Sequence, residues 1–184
     1  MQKVITLFRR DYKETMLVYD ELSEGAEWVV QGEGRATEKI DGTSCLIRDG
    51  KLYKRYDAKR GKQPPANFEP SQEPDLVTGH WPGWVPISES DSGDKWHREA
   101  WDNGGNKLPN GTYELVGPKV QGNRYKLNEH RFRLHGDVAL ENVPTNFTDL
   151  RDYLECHLNY EGVVWHHPDG RLVKIKRRDF GFRW

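Results

Sequence analysis

Cysteine is scarce in this 184-residue sequence, which contains only Cys45 and Cys156. Their separation fits neither the spacing of zinc ligands nor a disulfide framework, which argues against a secreted domain held together by metal or disulfides. Hydrophobic residues make up 35% of the chain, and no run of them is long enough to cross a bilayer. The first residues lack the pattern of a signal peptide. We therefore expect a cytoplasmic, reduced protein with no membrane partner, folded as one domain over residues 1–184.

The sequence also lacks a marked excess of positive or negative charge, because the net charge is −1. The basic residues are nevertheless concentrated in the stretches 51–62, 119–133 and 171–183, whereas acidic residues collect between 69 and 94. Such segregation can focus a positive potential on one face of a neutral protein. The distribution is compatible with a polyanionic partner and equally with ordinary solvated charge.

Short β-prone runs separated by glycine-containing turns dominate the chain. Residues 43–48 and 51–56 flank Asp49-Gly50, a dipeptide that favours a two-residue hairpin turn. The same signal occurs at Asp169-Gly170, between the runs 162–167 and 171–177. These patterns indicate an α+β protein built on antiparallel sheet.

Two further stretches complete the secondary-structure prediction. Apolar residues from Leu150 to Leu158 recur at helical spacing, and Thr148 is the predicted N-cap. Residues 61–110 are rich in proline, glycine, tryptophan and acids without clear periodicity. This stretch is expected to be a loop-rich insertion with short elements.

Chemistry first appears in the sequence Glu38-Lys39-Ile40-Asp41-Gly42, which contains Lys-x-Asp-Gly. A motif of this length occurs often by chance, and its alternative interpretation is a strand that ends in a turn with a solvated lysine. Four further features follow it in order along the chain. They are Arg55 on the next strand, Glu114 within an apolar strand, Glu161 before Gly-Val-Val, and the alternating pair Lys174 and Lys176.

The last pair can be placed by strand geometry. Residues two apart on a strand share a face, so Lys174 and Lys176 point the same way. If Asp169-Gly170 is a two-residue turn, Trp165 opposes Lys174 and Val163 opposes Lys176, and Glu161 falls on that face as well. The hairpin would then present an acid and two cations around an aromatic ring. The alternative is an edge hairpin with a solvated basic side.

This order of motifs resembles that of the covalent nucleotidyltransferases, which include ATP-dependent RNA and DNA ligases and mRNA capping enzymes. The phrases Glu-Lys-Ile-Asp-Gly-Thr and Tyr-Glu-Leu-Val-Gly-Pro, followed by a strand over residues 131–140, resemble RNA ligases most closely. The resemblance spans residues 36–176. It implies a ligase-type, ATP-grasp-like core of two antiparallel sheets with flanking helices, without the OB-fold or helical domain that such enzymes commonly append.

The resemblance also implies roles for individual residues. Lys39 would attack the α-phosphate of ATP and carry AMP, and two neighbouring cations would favour loss of its proton. The remaining roles are adenine contacts for Glu38 and Ile40, phosphate contacts for Arg55 (with Arg60 as a rival), ribose contacts for Glu114, a Mg²⁺ or Mn²⁺ site at Glu161, and phosphate contacts for Lys174 and Lys176. His135 and Trp165 are the two candidates for the group that stacks on the base.

The function implied is ATP-dependent joining of RNA 5′-phosphate and 3′-hydroxyl ends through lysyl-AMP and an adenylylated RNA end. The alternatives are a DNA ligase core, a capping guanylyltransferase core, and a nucleotide- or RNA-binding module without catalysis. The sequence indicates neither the RNA that is sealed nor the oligomeric state.

Overall fold

The structure is a computed structural model that describes residues 4–76 and 78–184. It has the predicted α+β character, with several largely antiparallel sheets and few helices. Within the described ranges no helix combines the length and apolar character required to span a membrane.

Twelve strands and three α-helices occur among the described residues. The strands are β1 (Ile5–Thr6), β2 (Phe8–Arg10), β3 (Val18–Leu22), β4 (Arg35–Lys39), β5 (Thr43–Arg48), β6 (Lys51–Ala58), β7 (Glu69–Pro70), β8 (Trp81–Pro86), β9 (Gly111–Val116), β10 (Arg131–Leu134), β11 (Gly162–His166) and β12 (Leu172–Lys176). The helices are α1 (Glu27–Val30), α2 (Lys95–Asp102) and α3 (Phe147–Cys156).

The chain divides into two compact units. Unit 1 contains Asp41–His135, and unit 2 contains Val4–Ile40 and Gly136–Trp184. The division falls inside the Lys-x-Asp-Gly motif, so Lys39 belongs to unit 2 whereas Asp41 and Gly42 belong to unit 1.

Unit 2 is built on a four-stranded sheet in the order β1-β12-β11-β4, with the two-stranded sheet β2-β3 beside it in the chain. The pair β1-β12 is parallel, so this sheet is mixed rather than purely antiparallel as predicted. One face of the sheet carries Val163, Trp165, Val173 and Ile175, which pack with Leu150 and Leu154 of α3 in the core of the unit.

Unit 1 is built on an antiparallel six-stranded sheet in the order β10-β9-β5-β6-β8-β7. Its core contains Cys45 and Ile47 of β5 and Tyr113 and Leu115 of β9, together with Ala100 of α2. Alternate residues on these strands therefore point away from the core, as the period of a strand requires.

The hairpin predicted at Asp49-Gly50 is confirmed. Arg48 and Lys51 are paired, so the loop has two residues, and both Asp49 (φ 53°) and Gly50 (φ 71°) have the positive φ that a type I′ turn requires. The segment 61–110 contains β7, β8, α2 and short 3₁₀ turns between irregular stretches.

The helix predicted after Thr148 begins two residues earlier than expected. Asn146, not Thr148, is its N-cap, and the side-chain oxygen of Asn146 accepts a hydrogen bond from the backbone N–H of Asp149 at 2.9 Å. Asparagine is among the preferred N-cap residues, and Phe147 belongs to the first turn. The Thr148 assignment was wrong because two adequate caps stand close together in the sequence.

The predicted register of the second hairpin is wrong by one residue. Lys174 is paired with Val164 and Lys176 with Gly162, because the loop contains three residues and closes between His167 and Arg171. Pro168 lacks an N–H and therefore joins Asp169-Gly170 in the loop.

This change of register alters which side chains share a face. Trp165 is paired with Val173 and is 4% exposed in the core of unit 2. It therefore does not lie on the face of the two lysines and is not available to stack on a base.

Candidate active site

Three lysines share one face of the four-stranded sheet in unit 2. Gly162 on the central strand β11 is paired with Lys39 on one side and with Lys176 on the other. Directly opposed residues of antiparallel strands share a face, and Lys174 lies two residues before Lys176 on that same face. The sheet thus brings together three cations that are far apart in sequence.

Glu161 supplies the carboxylate of this cluster. Its Oε2 accepts a hydrogen bond from Lys39 Nζ at 2.5 Å, and its Oε1 lies 3.7 Å from Lys176 Nζ. The side chain of Glu161 is 5% exposed, whereas that of Lys39 is 19% exposed. The reactive amine proposed from the sequence therefore lies against a buried acid and remains accessible from outside.

A second acid, Asp179, anchors the C-terminal end of β12. Asp179 is 1% exposed, accepts a hydrogen bond from the backbone N–H of Lys176 at 2.8 Å, and forms an ion pair with Arg10. This anchoring holds the backbone from which Lys176 projects. Because Arg10 balances Asp179, the three lysines outnumber the nearby unbalanced acid, Glu161, and the cluster is suited to bind an anion.

Gly162 has no room for a side chain. A Cβ at this position would lie 2.0 Å from the carbonyl oxygen of Ile175, on the adjacent strand. Gly162→Ala should therefore lower the free energy of unfolding by about 1–3 kcal/mol, as overpacking does, which chemical denaturation would measure.

A matched control for Gly162 is Gly111→Ala in β9, where a Cβ would come no closer than 3.3 Å, to a ring carbon of Tyr113. This variant should lose clearly less stability than Gly162→Ala. Equal stability of the two variants would show that the close approach of β12 at Gly162 is not a constraint.

Burial and neighbouring charge disfavour the protonated forms of two of the lysines. Burial first, and then the cations Lys176 and Lys39, lower the pKa of Lys174 from 10.5 to about 8. Burial also lowers the pKa of Lys176, against the opposing effect of Glu161. Keeping these two lysines protonated in the folded protein therefore lowers its stability. Strongly shifted pKa values of this kind are frequent at functional sites.

The lowered pKa of Lys174 predicts that the free energy of unfolding depends on pH. The pKa of Lys174 is about 8 in the folded protein and 10.5 in the unfolded chain, so between these values the unfolded chain binds more protons. The contribution of Lys174 to the free energy of unfolding therefore rises with pH across this window, and its full penalty is present below it. Lys174→Met should stabilise the protein at pH 7 by about 1–3 kcal/mol and flatten the rise at alkaline pH.

Urea denaturation of the wild type and of Lys174→Met at a series of pH values from neutral to alkaline would measure this effect. Lys13→Met, at an exposed position, is the matched control and should leave both stability and its pH dependence unchanged. A Lys174→Met protein that is less stable than the wild type at neutral pH would contradict the inference.

The two neighbours of Lys39 in the motif are placed differently. Glu38 is paired with Val163 and so lies on the opposite face of the sheet from Lys39. Ile40 is buried, at 4% exposure. The structure therefore does not bring Glu38 into the lysine cluster, and the adenine contacts expected of both residues remain predictions.

Arg55 and Glu114 belong to unit 1. Glu114 of β9 is paired with Ser44 of β5, and Cys45 is paired with Lys54. Because neighbours along a strand face opposite ways, Arg55 lies on the same side of the six-stranded sheet as Ser44 and Glu114. The structure thus places on one sheet face the two residues predicted to contact phosphate and ribose, with β5 between their strands.

The side chains on this face are held by local contacts. Arg55 Nε donates to Asp57 at 3.0 Å, and the guanidinium lies 5.6 Å from the ring centroid of Trp84. Glu114 accepts a hydrogen bond from His135 Nε2 at 2.9 Å. His135, predicted as a stacking candidate, therefore contacts the carboxylate expected to hold the ribose.

Two further residues of unit 1, Ser44 and Tyr125, lie next to the predicted site residues. Ser44 has no distinguishing signal in the sequence, because its position opposite Glu114 depends on the pairing of β5 with β9. Tyr125, whose hydroxyl accepts a hydrogen bond from the backbone N–H of Asp41 at 2.8 Å, holds the turn of the Lys-x-Asp-Gly motif. Nothing in the sequence around Tyr125 signals this contact.

A metal site made by protein ligands alone is absent from the part of the chain that the structure describes, since it contains no group of three or more histidine, cysteine or acidic side chains placed to hold an ion. Glu161 nevertheless fits Mg²⁺, because this ion typically uses one or two carboxylates together with substrate phosphates and water. The buried carboxylate between two lysines is the donor that such a site requires.

The chain is similar in sequence to proteins described as RNA ligase 1. Residues 104–184 match the family model described as RNA ligase 1, a range that includes Glu114, Glu161, Lys174 and Lys176 but not Lys39. RNA ligase 1 of Rattus norvegicus is 28% identical over an alignment that covers 81% of this chain and 68% of the relative. RNA ligase 1 of Danio rerio is 26% identical, with the same two coverages. These similarities confirm the resemblance found in the motifs.

Proposed function

We propose that this RNA ligase-like nucleotidyltransferase is an ATP-dependent RNA ligase in which Lys39 carries AMP. The observation that supports the proposal most strongly is the position of the Lys39 amine, 2.5 Å from buried Glu161 and on the same sheet face as Lys174 and Lys176. A primary amine, an acid and two further cations are groups suited to attack on the phosphoanhydride of ATP.

In the first step, Lys39 Nζ attacks the α-phosphorus of ATP. A phosphorus–nitrogen bond forms, the bond from the α-phosphorus to the oxygen that bridges to the β-phosphate breaks, and pyrophosphate leaves. The amine must lose a proton, and Glu161 Oε2 is an acceptor within hydrogen-bond distance. Lys174 and Lys176 stabilise the negative charge on the transferring phosphate and on pyrophosphate.

Glu161 would also hold Mg²⁺ or Mn²⁺, directly or through water. When bound, the ion neutralises charge on the phosphate oxygens. The lysines of unit 2 supply the remainder of the positive charge from the protein itself.

Further nucleotide contacts are proposed for residues outside the lysine cluster. Glu114 accepts hydrogen bonds from the ribose hydroxyls, and Arg55 contacts a phosphate. The adenine contacts of Glu38 and Ile40 are carried over from the family resemblance, and Glu38 would make its contact from the sheet face opposite Lys39. Arg55 is preferred to Arg60 because it lies on the same sheet face as Glu114.

Two steps on RNA follow. An oxygen of an RNA 5′-phosphate attacks the phosphorus of lysyl-AMP, the phosphorus–nitrogen bond breaks, and the amine regains a proton. The 3′-hydroxyl of a second end then attacks the 5′-phosphate, loses its proton, and releases AMP. A reducing, cytoplasmic location fits the free thiols of Cys45 and Cys156.

Incubation with ATP or GTP labelled at the α-phosphate, followed by denaturing electrophoresis, tests the proposal. Label should remain on the protein from ATP, be lost in acid, and pass to RNA with a 5′-phosphate. Sealing of RNA and DNA ends in parallel then identifies the nucleic acid. Label from GTP alone would indicate a guanylyltransferase, sealing of DNA alone a DNA ligase, and no label a binding module.

A further inference from the structure

Five buried side-chain polar atoms in unit 1 lack hydrogen-bond partners among the residues that the structure describes. Two are the ring nitrogens of His97, and the other three are Ser44 Oγ, Glu114 Oε2 and His135 Nδ1. Buried polar atoms in proteins are nearly always hydrogen-bonded, and each unpartnered one carries a substantial desolvation cost. The last three belong to residues that adjoin one another, and a ligand with hydroxyl or amide groups could satisfy all of them.

Ser44 and His135 both adjoin Glu114. Ser44 and Glu114 are directly paired across β5 and β9. His135 follows β10, its backbone N–H donates to the carbonyl of Thr112 at 3.1 Å, and its ring reaches Glu114 Oε1 at 2.9 Å. Glu114 as a whole is 9% exposed, so its free oxygen is largely shielded from bulk water.

The hydrogen-bond roles of these atoms can be assigned. A carboxylate only accepts, so His135 Nε2 must carry the hydrogen that binds Glu114 Oε1. In the neutral ring, Nδ1 is then an acceptor. Glu114 Oε2 is a second free acceptor, and the hydroxyl of Ser44 can donate or accept. The complement of two acceptors is a group with two adjacent O–H donors, and the vicinal hydroxyls of a ribose are such a group.

We propose that His135 is a positioning and hydroxyl-binding residue: it orients Glu114 through Nε2, and together with Ser44 the pair binds both hydroxyls of the ribose. This inference rests on the proposed function, because it assigns the ribose of the adenine nucleotide to this cluster. It gives His135 a role other than stacking on the base. It also makes the protein selective for ribonucleotides over their 2′-deoxy and 3′-deoxy forms.

The wild-type protein alone provides the first test. Calorimetric titration with AMP, 2′-deoxy-AMP and 3′-deoxy-AMP measures binding without any covalent step. Removal of either hydroxyl should weaken binding by about 10-fold or more, because it leaves a buried acceptor unpaired. Binding of the three compounds within twofold of one another would overturn the inference.

Two substitutions then separate positioning from stacking. His135→Gln keeps an N–H that can reach Glu114 but removes the ring, whereas His135→Phe keeps a ring but removes the N–H. With ATP as substrate for protein labelling, His135→Phe should raise KM about 10-fold with little change in kcat and lose the preference for ATP over 2′-deoxy-ATP. His135→Gln should retain most of both properties. The reverse order of the two variants would show that His135 acts by stacking.

His80→Phe is the matched control, since His80 is an exposed histidine of the same unit. It should match the wild type in KM and in preference. The two proposals can fail separately: a wild type that binds AMP selectively but never becomes labelled removes the ligase function alone. Labelling that proceeds equally well from ATP and 2′-deoxy-ATP removes the role of Ser44, Glu114 and His135 alone.

Discussion

Lys39→Ala is expected to abolish the covalent adduct between the protein and AMP, with a loss of about 1,000-fold or more, because no other group can replace a missing nucleophile. The change should leave folding intact, since the Lys39 side chain is partly exposed and contributes to no apolar core. Removal of its charge leaves Glu161 paired with Lys176. Protein labelling by ATP and thermal unfolding measure the two effects separately.

Two controls make the Lys39 result specific. Lys39→Arg keeps a cation beside Glu161 but substitutes a guanidinium, which stays protonated, so it should be as inactive as the alanine variant. Lys13→Ala, at an exposed lysine of the same unit, should be labelled like the wild type. Substantial labelling of Lys39→Ala would mean that another residue carries the nucleotide.

Glu161→Gln is expected to reduce adduct formation by about 100-fold or more, because it removes the proton acceptor beside Lys39 and the anionic ligand proposed for Mg²⁺. The change is nearly isosteric, but it removes the anion that lies between two lysines. A modest loss of stability should accompany the loss of activity. Labelling rates measured over a range of Mg²⁺ concentrations would test the kinetic effect.

The Mg²⁺ series also separates the two proposed roles of Glu161. If the carboxylate holds the ion, the variant should require more Mg²⁺ for half-maximal labelling, whereas loss of a proton acceptor alone would lower only the maximal rate. Glu155→Gln, at an exposed acid on α3, serves as the control and should behave like the wild type. A Glu161→Gln protein labelled at the wild-type rate would show that Glu161 does not take part in the reaction.

Local signals in the sequence predicted which strands and hairpins form better than they predicted the register in which the strands pair. The dipeptide Asp49-Gly50 determines both the presence and the length of its hairpin, because both residues adopt positive φ. At Asp169-Gly170 the same signal predicted a hairpin but the wrong loop length. Pro168 shifted the register by one residue, and a shift of one exchanges the two faces of a strand.

The grouping of Glu161 with the lysines was predicted correctly for a reason that was wrong. In the observed register, strict alternation would place Glu161 on the face of Val163, which is buried in the core. Glu161 instead lies immediately before β11, which begins at Gly162. Its side chain reaches Lys39 and Lys176. Sequence periodicity does not extend past the end of a strand, so it could not have predicted this contact.

The cluster of Ser44, Glu114 and His135 illustrates a second limit of prediction from sequence. Each residue belongs to a different strand or loop, and their meeting depends on the strand order β10-β9-β5, in which β5 precedes β9 by more than sixty positions. No local pattern encodes such an order. The position of Glu114 within an apolar strand favours a partner for its carboxylate, because buried acids seldom lack one, but it does not identify that partner.

The most direct test of a nucleotide carried on Lys39 is peptide mapping by mass spectrometry after incubation of the purified protein with ATP and Mg²⁺. One adenylyl group should be found, on the peptide that contains Lys39, and acid should remove it. An adenylyl group on any other residue, or a fully active preparation in which Lys39 never carries one, would contradict the mechanism.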